Sequence, residues 1–72
     1  MSEKKYFINR ELQIISLLKK SYLQKMIAEE LNVSIETVRS HIKHIKSKLG
    51  VHSTLEIINW AHQSDLFKDS DK

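Results

Sequence analysis

The sequence predicts an all-α domain of four helices. Apolar residues recur at three- and four-residue intervals through most of the chain, which places them on one side of a helix. The 72 residues include no proline and a single glycine, so little in the chain interrupts a helix. A chain of this length forms one small domain that buries only about 60% of the surface of its unfolded state. We therefore expect a single, thin core.

The composition excludes several classes of protein. The chain has no cysteine, so neither disulfides nor thiolate metal sites can support it. No apolar run approaches the roughly 20 residues that cross a membrane. The first residues show no signal-peptide pattern, and the expected compartment is the cytoplasm. The net charge is only +3, but positive charge gathers in the middle of the chain, whereas Asp65, Asp69 and Asp71 lie near its end.

The first helix follows a polar segment, residues 1–6, which we expect to form a flexible arm. The helix is predicted to begin near Asn9 or Arg10 and to run to about Lys20. Its apolar residues cover most of its girth, a pattern typical of a helix that is packed on several sides. We therefore place it at the centre of the core. The apolar residues are Leu12, Ile14, Ile15, Leu17 and Leu18.

A short helix, a tight turn and a longer helix follow. The short helix is predicted over 24–31, after a link at 21–23, and its Ala28 is small enough to allow close approach of a neighbour. Asn32 tolerates the left-handed conformation that a tight turn needs. This succession is the layout of a helix-turn-helix, in which the second helix enters the major groove of DNA.

The longer helix, predicted over 34–49, has signals at both ends. Ser34 can cap it by accepting a hydrogen bond from a backbone N–H of the first turn. Glu36 places negative charge near the positive end of the helix dipole. Gly50, the only glycine, lies where a left-handed residue would end the helix. One stripe of this helix is apolar and is expected to be buried: Ile35, Val38, Ile42, Ile45 and Leu49.

The opposite side of this helix is basic. Arg39, Lys43 and Lys46 recur at helical spacing, and no acidic residue occurs from Arg39 to Lys48. An α-helix fits the width of the major groove, and Arg and Lys donate to guanine edges and to phosphate oxygens. A solvated basic face on an ordinary helix is the alternative. The short helix and turn that come before it favour DNA binding.

The last helix is predicted from a cap at Thr54 to Gln63 or Ser64. Ile57, Ile58 and Ala61 suit the core, which leaves a different side exposed. That side carries Leu55, Asn59 and His62. An exposed leucine indicates either a partner surface or an ordinary scattered apolar residue. After this helix, Leu66 and Phe67 are expected to fold back as a hydrophobic clasp, and residues 68–72 to form a flexible tail.

Several runs together resemble the LuxR/GerE/FixJ-type helix-turn-helix domain of bacterial transcription regulators. Any one of them alone would be a weak signal, but their joint spacing is specific, and the resemblance covers residues 7–67. The runs are Arg10-Glu11, Ile27-Ala28, Leu31-Asn32-Val33-Ser34, Thr37-Val38-Arg39-Ser40-His41-Ile42 and Lys48-Leu49-Gly50-Val51.

The resemblance implies a tetrahelical domain that binds double-stranded DNA as a homodimer, through the last helix, at pseudo-palindromic sites. The residues implied to contact bases are Arg39, Ser40 and Lys43. The residues implied to contact phosphates are Lys25, Ser34, Thr37, His41, Lys46 and Lys48. The last helix is expected to form the dimer interface with Leu55, Ile58, Asn59 and His62.

The chain departs from the family pattern at several positions outside the recognition helix. Ile8 replaces the usual threonine cap of the first helix, so Asn9 is expected to cap instead. Ser21 replaces a glycine after that helix. Thr54 replaces an arginine, which leaves Glu11 without its usual ion-pair partner. Two further departures put apolar residues at the start of the second helix, where Leu23 replaces a Ser/Thr cap and Met26 replaces a glutamate.

The expected function is sequence-specific regulation of transcription, with no catalytic residues and no cofactor. His41 and His44 lie one helical turn apart, but no cysteine or nearby carboxylate completes a metal site. A rival hypothesis is a module that captures another regulator through its last helix; non-specific architectural binding is a third. RNA polymerase or another regulator is a further expected partner. The chain could be a whole small regulator or the output domain of a response regulator.

Overall fold

Within residues 7–64, four α-helices form the fold, as the sequence predicts. In a computed structural model, which describes residues 7–64, every regular element is helical. The helices are α1 (Asn9–Lys19), α2 (Gln24–Leu31), α3 (Ile35–Leu49) and α4 (Thr54–Gln63). The expectations for the arm at 1–6, the clasp at Leu66 and Phe67, the tail at 68–72 and the three terminal aspartates fall outside the described residues.

Helix α1 lies at the centre of the domain and packs against each of the other three helices. Its Ile14 and Ile15 are completely buried. Helix α3 contributes Val38, Ile42 and Ile45 to the same core, while Ile35 and Leu49 at the ends of its apolar stripe are half-buried. The predicted core position of α1 and the predicted buried stripe of α3 are both confirmed. The other fully or nearly fully buried apolar residues are Phe7, Leu18, Ile27, Ala28, Ile57 and Ala61.

Three of the four helices end in the same way, with a left-handed residue and a pair of reversed hydrogen bonds. The left-handed residues are Ser21 (φ 73°), Asn32 (φ 59°) and Gly50 (φ 70°). After α1, for example, the Ser21 N–H donates to the Leu18 carbonyl and the Tyr22 N–H to the Leu17 carbonyl, which is the Schellman arrangement. The residues that follow the three turns are Tyr22, Val33 and Val51, and all three pack against the core.

The N-termini of α3 and α4 are capped by serine hydroxyls. Ser34 accepts from the Thr37 N–H at 3.1 Å, as the sequence predicts. The predicted cap of α4 at Thr54 is wrong, because Thr54 is already helical and Ser53 accepts from the Glu56 N–H at 3.2 Å. Glu56 completes a capping box by accepting from the Ser53 N–H at 3.0 Å.

The N-termini of α1 and α2 have no side-chain acceptor at the cap position. Asn9 was expected to cap α1, but it is the first helical residue, and Ile8 occupies the cap position. The Ile8 N–H instead donates to Oε1 of Glu11 at 3.2 Å, which is half of a capping box. At the start of α2 the cap position is held by Leu23, which is 69% exposed.

No helix within residues 7–64 has both the length and the apolar character needed to cross a lipid bilayer.

Ser21 and Gly50 allow a matched test of the helix-ending turns. A Cβ at a left-handed residue costs roughly 1–2 kcal/mol, and a Cβ added at Gly50 would meet nothing within 4 Å. We predict that Ser21→Gly raises the free energy of unfolding by about 1 kcal/mol. Gly50→Ser should lower it by a similar amount. Urea denaturation measures both, and an unchanged or lower stability in Ser21→Gly contradicts the strain at that position.

Glu56 makes the stability of α4 depend on pH. The backbone N–H of His52, which donates to Oε1 at 2.8 Å, holds the pKa of the Glu56 carboxyl below its ordinary value of 4.5. The folded state therefore binds this proton less readily than the unfolded state, and the stabilisation is present above pH 4.5 and is lost as the pH falls through the lowered pKa.

Glu56→Ala should therefore lower the melting temperature at pH 7, and the difference from the original chain should shrink as the pH falls below 4.5. Thermal unfolding followed by circular dichroism over this pH range gives the comparison. A difference that is constant with pH would show that the carboxylate charge has no part in capping α4.

Candidate nucleic-acid interface

The surface of α3 that faces away from the core is basic. Because α1, α2 and α4 cover Val38, Ile42 and Ile45, the residues on the other side of the helix are turned outward. Arg39, Ser40 and Lys43, the predicted base-contacting residues, are all exposed. The structure thus brings these three side chains together on one open ridge.

One flank of this ridge carries two hydroxyl groups in direct contact. Ser34 Oγ and Thr37 Oγ1 lie 2.9 Å apart, and either atom can be the donor of the bond between them. Whichever hydroxyl donates, the proton of the other stays free. The pair at the start of α3 can therefore cap the helix and still offer one O–H to an anion such as a phosphate.

The cations around the ridge differ in their surroundings. Lys25 is exposed on the first turn of α2, and Lys46 is half-buried beside Arg39 and Lys43 on α3. His44 is also exposed, one turn after His41. Each of these side chains lies on the ridge or beside it. Within residues 7–64, none of them forms a salt bridge with a carboxylate.

Lys48 differs from these cations, because its half-buried side chain is paired with a carboxylate of the core. Its Nζ lies 2.6 Å from Oε1 of Glu11, a carboxylate whose side chain is only 3% exposed. The same Nζ lies 5.5 Å from the ring centroid of Phe7, which in turn packs against Trp60. Thr54 replaces the arginine that usually pairs with Glu11, and in this chain Lys48 is the partner instead. A phosphate would have to compete with Glu11 for this ammonium.

The spacing of Glu11 could have revealed that it needs a cation, although not which one. Glu11 falls in step with Ile14, Ile15 and Leu18, so it lies on the buried side of α1. A carboxylate in that position is rarely left without a cation. The sequence does not say which of the twelve Lys and Arg residues supplies it, because the contact joins residues that are 37 positions apart.

The exposed side of α4 forms a second open surface. Leu55 is 64% exposed, and Asn59 and His62 are exposed on the same helix. Ile58 is half-buried and packs against the core, so it contributes only part of its side chain to this surface. The predicted division of α4 into a buried side and an open side is confirmed.

The ridge has the shape and the chemistry to meet a polyanion. Helix α3 has 15 residues and is therefore about 22 Å long. Its exposed groups are hydrogen-bond donors that suit phosphate oxygens and the acceptor atoms of guanine. Within the described residues, no group of three or more His, Asp or Glu side chains is placed to hold a metal ion.

A family model described as "Bacterial regulatory proteins, luxR family" matches residues 6–61. The chain belongs to the LuxR family. Membership makes the helix-turn-helix formed by α2 and α3 a DNA-binding unit of a transcription regulator, and the LuxR family is one of regulators rather than an enzyme class. The resemblance stated from the sequence motifs is confirmed.

The relatives that the chain matches are longer proteins. The chain is 42% identical over 64 residues to the oxygen regulatory protein NreC of Staphylococcus aureus strains JH9, Mu3 and NCTC 8325. The match covers 89% of this chain and 30% of each relative, so this LuxR-family domain corresponds to less than a third of those proteins. No solved structure matches the chain.

The ion pair between Lys48 and Glu11 can be tested by removing one partner. Lys48→Met keeps the aliphatic stem but leaves the Glu11 carboxylate buried without its cation, so we predict a loss of about 1–3 kcal/mol in the free energy of unfolding. Lys43→Met, at an exposed position, should change it by less than about 0.5 kcal/mol. Equal effects in urea denaturation would mean that the pair does not stabilise the domain.

Proposed function

We propose that the chain binds double-stranded DNA sequence-specifically by inserting α3 into the major groove. The observation that supports this most directly is the outward ridge of Arg39, Ser40 and Lys43 on a helix whose opposite side is locked in the core. Arginine and lysine in that position can donate to guanine O6 and N7, and the serine hydroxyl can pair with several base edges.

Phosphate contacts around the ridge set the position of the helix in the groove. Lys25 on α2 and Lys46 on α3 supply charge, and His41 supplies a ring nitrogen. The linked hydroxyls of Ser34 and Thr37 offer one donor at the positive end of the α3 dipole. Lys48 contributes least to this set, because its ammonium already neutralises Glu11.

We further propose that two copies bind together on a pseudo-palindromic site and that α4 joins them. The open side of α4 carries an exposed leucine flanked by polar groups, a composition that suits a modest, DNA-assisted interface. The contacting residues are Leu55, Ile58, Asn59 and His62. Such a regulator acts in the cytoplasm, where RNA polymerase or another regulator can meet it on DNA.

Capture of another regulator is the second candidate function. It is favoured by Leu23, which is 69% exposed at the start of α2, and by Leu55 on α4. Two exposed leucines on separate elements leave room for a protein partner. The ridge on α3, which such a module does not need, is the reason why DNA binding comes first.

Substitutions at Arg39 and Lys46 distinguish the contribution of base contacts from the contribution of charge to DNA binding. Arg39→Ala should weaken binding to the preferred site by about 5- to 150-fold and leave random duplex much less affected, because a lost bidentate base contact is worth about 1–3 kcal/mol. Lys46→Ala should weaken both duplexes alike and reduce the slope of log affinity against log salt by about 0.9 per subunit.

The preferred site is first obtained by selecting bound genomic fragments and sequencing them, and fluorescence anisotropy of labelled duplexes at several salt concentrations then gives both quantities. Equal losses on both duplexes for Arg39→Ala would contradict base reading by that residue. An affinity that does not change with salt would contradict groove binding altogether.

Leu55 and Leu23 provide a matched pair for the dimer. Leu55→Glu should remove cooperative binding to a duplex with two half-sites and leave binding to a single half-site unchanged, because the added charge faces the second copy. Leu23→Gln, at an equally exposed leucine, should keep the cooperativity. Gel-shift titration distinguishes the two, and cooperativity that survives in Leu55→Glu would remove α4 from the interface.

A further inference from the structure

His41 has two ring nitrogens in opposite surroundings. Its Nδ1 is buried and has no hydrogen-bond partner, and it is the one buried side-chain nitrogen or oxygen in this condition within residues 7–64. The described hydrogen bonds give Nε2 no protein partner either, but this atom is not completely buried and reaches the surface. The ring as a whole is half-buried on α3.

The buried nitrogen restricts which form of the imidazole the site accepts. A histidine ring is neutral with one N–H, on either nitrogen, or it is a cation with both. An N–H on Nδ1 would be a buried donor without an acceptor, a rarer condition in proteins than an acceptor without a donor. The cation would add a charge to that same unpaired donor.

We propose that His41 meets DNA as a neutral hydrogen-bond donor, with the proton on Nε2 and Nδ1 left bare against the protein. This inference rests on the proposed function, since it specifies how one residue of that interface acts. The partner is an acceptor with no proton of its own, a phosphate oxygen. A neutral donor fixes the direction of approach to that oxygen without adding a charge.

As a neutral donor, His41 differs from the lysines of the interface, which bring positive charge to the DNA. A cation that neutralises a phosphate contributes about 0.9 to the slope of log affinity against log salt, whereas a neutral donor contributes nothing to it. His41 then helps to set the register of α3 on the DNA backbone, and Lys25 and Lys46 supply the charge-dependent part of the affinity.

Nuclear magnetic resonance of the DNA-free chain tests the tautomer directly. Long-range proton–nitrogen correlation on nitrogen-15-labelled protein at pH 7 should show a protonated Nε2 and an unprotonated Nδ1 for His41, while the exposed His44 and His62 give averaged signals. A protonated Nδ1, or a doubly protonated ring, overturns the proposal. This measurement needs no DNA, so it stands whether or not the proposed function holds.

Two variants test the consequence for DNA. Glutamine can place its amide nitrogen near the position of the histidine Nε2, whereas asparagine is shorter and reaches only toward Nδ1. His41→Gln should keep affinity for the selected site within about threefold and keep the salt slope, while His41→Asn should lose about tenfold in affinity. Urea denaturation of both variants shows whether each is folded.

The outcomes are distinguishable. A salt slope reduced by about 0.9 per subunit in His41→Gln would identify His41 as a cation and overturn the proposal. Equal affinity of both folded variants and the original chain would remove Nε2 from the interface, which also overturns it. Failure of the original chain to prefer any duplex would reject the proposed function and leave the tautomer measurement to judge His41 alone.

Discussion

Burial of one side of α3 is the constraint on which the rest of this domain depends. Val38, Ile42 and Ile45 are almost completely removed from solvent. Complete burial of an aliphatic side chain is worth about 1.5–3 kcal/mol, and the total stability expected of a chain this short is only about 4–10 kcal/mol. Rotation of α3 about its axis would expose these residues at a cost comparable to that total. The direction of the basic ridge is therefore set by the core.

The turns fix the angle at which the ridge is presented. Asn32 ends α2 just before α3 begins, and Gly50 ends α3. Both adopt a left-handed conformation, and the residue after each of them packs on the core. Ser21 does the same between α1 and α2, although serine accepts this conformation less readily than glycine. The domain thus holds a local strain at Ser21 because the packing of Tyr22 and the hydrogen bonds of the turn require it.

Much of this could be predicted from the sequence, because helices, caps and buried stripes depend on neighbours within four residues. The bounds of α2 and α3, the cap at Ser34 and the turns at Asn32 and Gly50 follow from such local rules. Errors arose where two adjacent residues could serve the same purpose, as with Ser53 and Thr54. The contact between Glu11 and Lys48 was missed for another reason: a pairing across 37 residues leaves no trace in local spacing.

The same limit applies to the interface. Helical spacing identifies which residues share the outer side of α3, but it treats every basic residue there as an equal source of charge. In the structure these residues differ in the protein groups that surround their side chains. The ammonium of Lys48 is paired with the buried carboxylate of Glu11, whereas Nδ1 of His41 is buried without a hydrogen-bond partner. Arg39, Lys43 and Lys46 have neither restriction.

The charge available to the proposed DNA interface is therefore smaller than the sequence suggests. With Lys48 held by Glu11, the cations left for the interface are those of the outer ridge and Lys25 at the start of α2. A few phosphate contacts confer only weak, strongly salt-dependent affinity. Joining two such surfaces on one DNA raises the affinity without any new base contact, because the second subunit binds at a high effective concentration. In the proposed dimer, the limited charge on α3 and the open side of α4 would act together, because selectivity would then depend on the occupation of both half-sites.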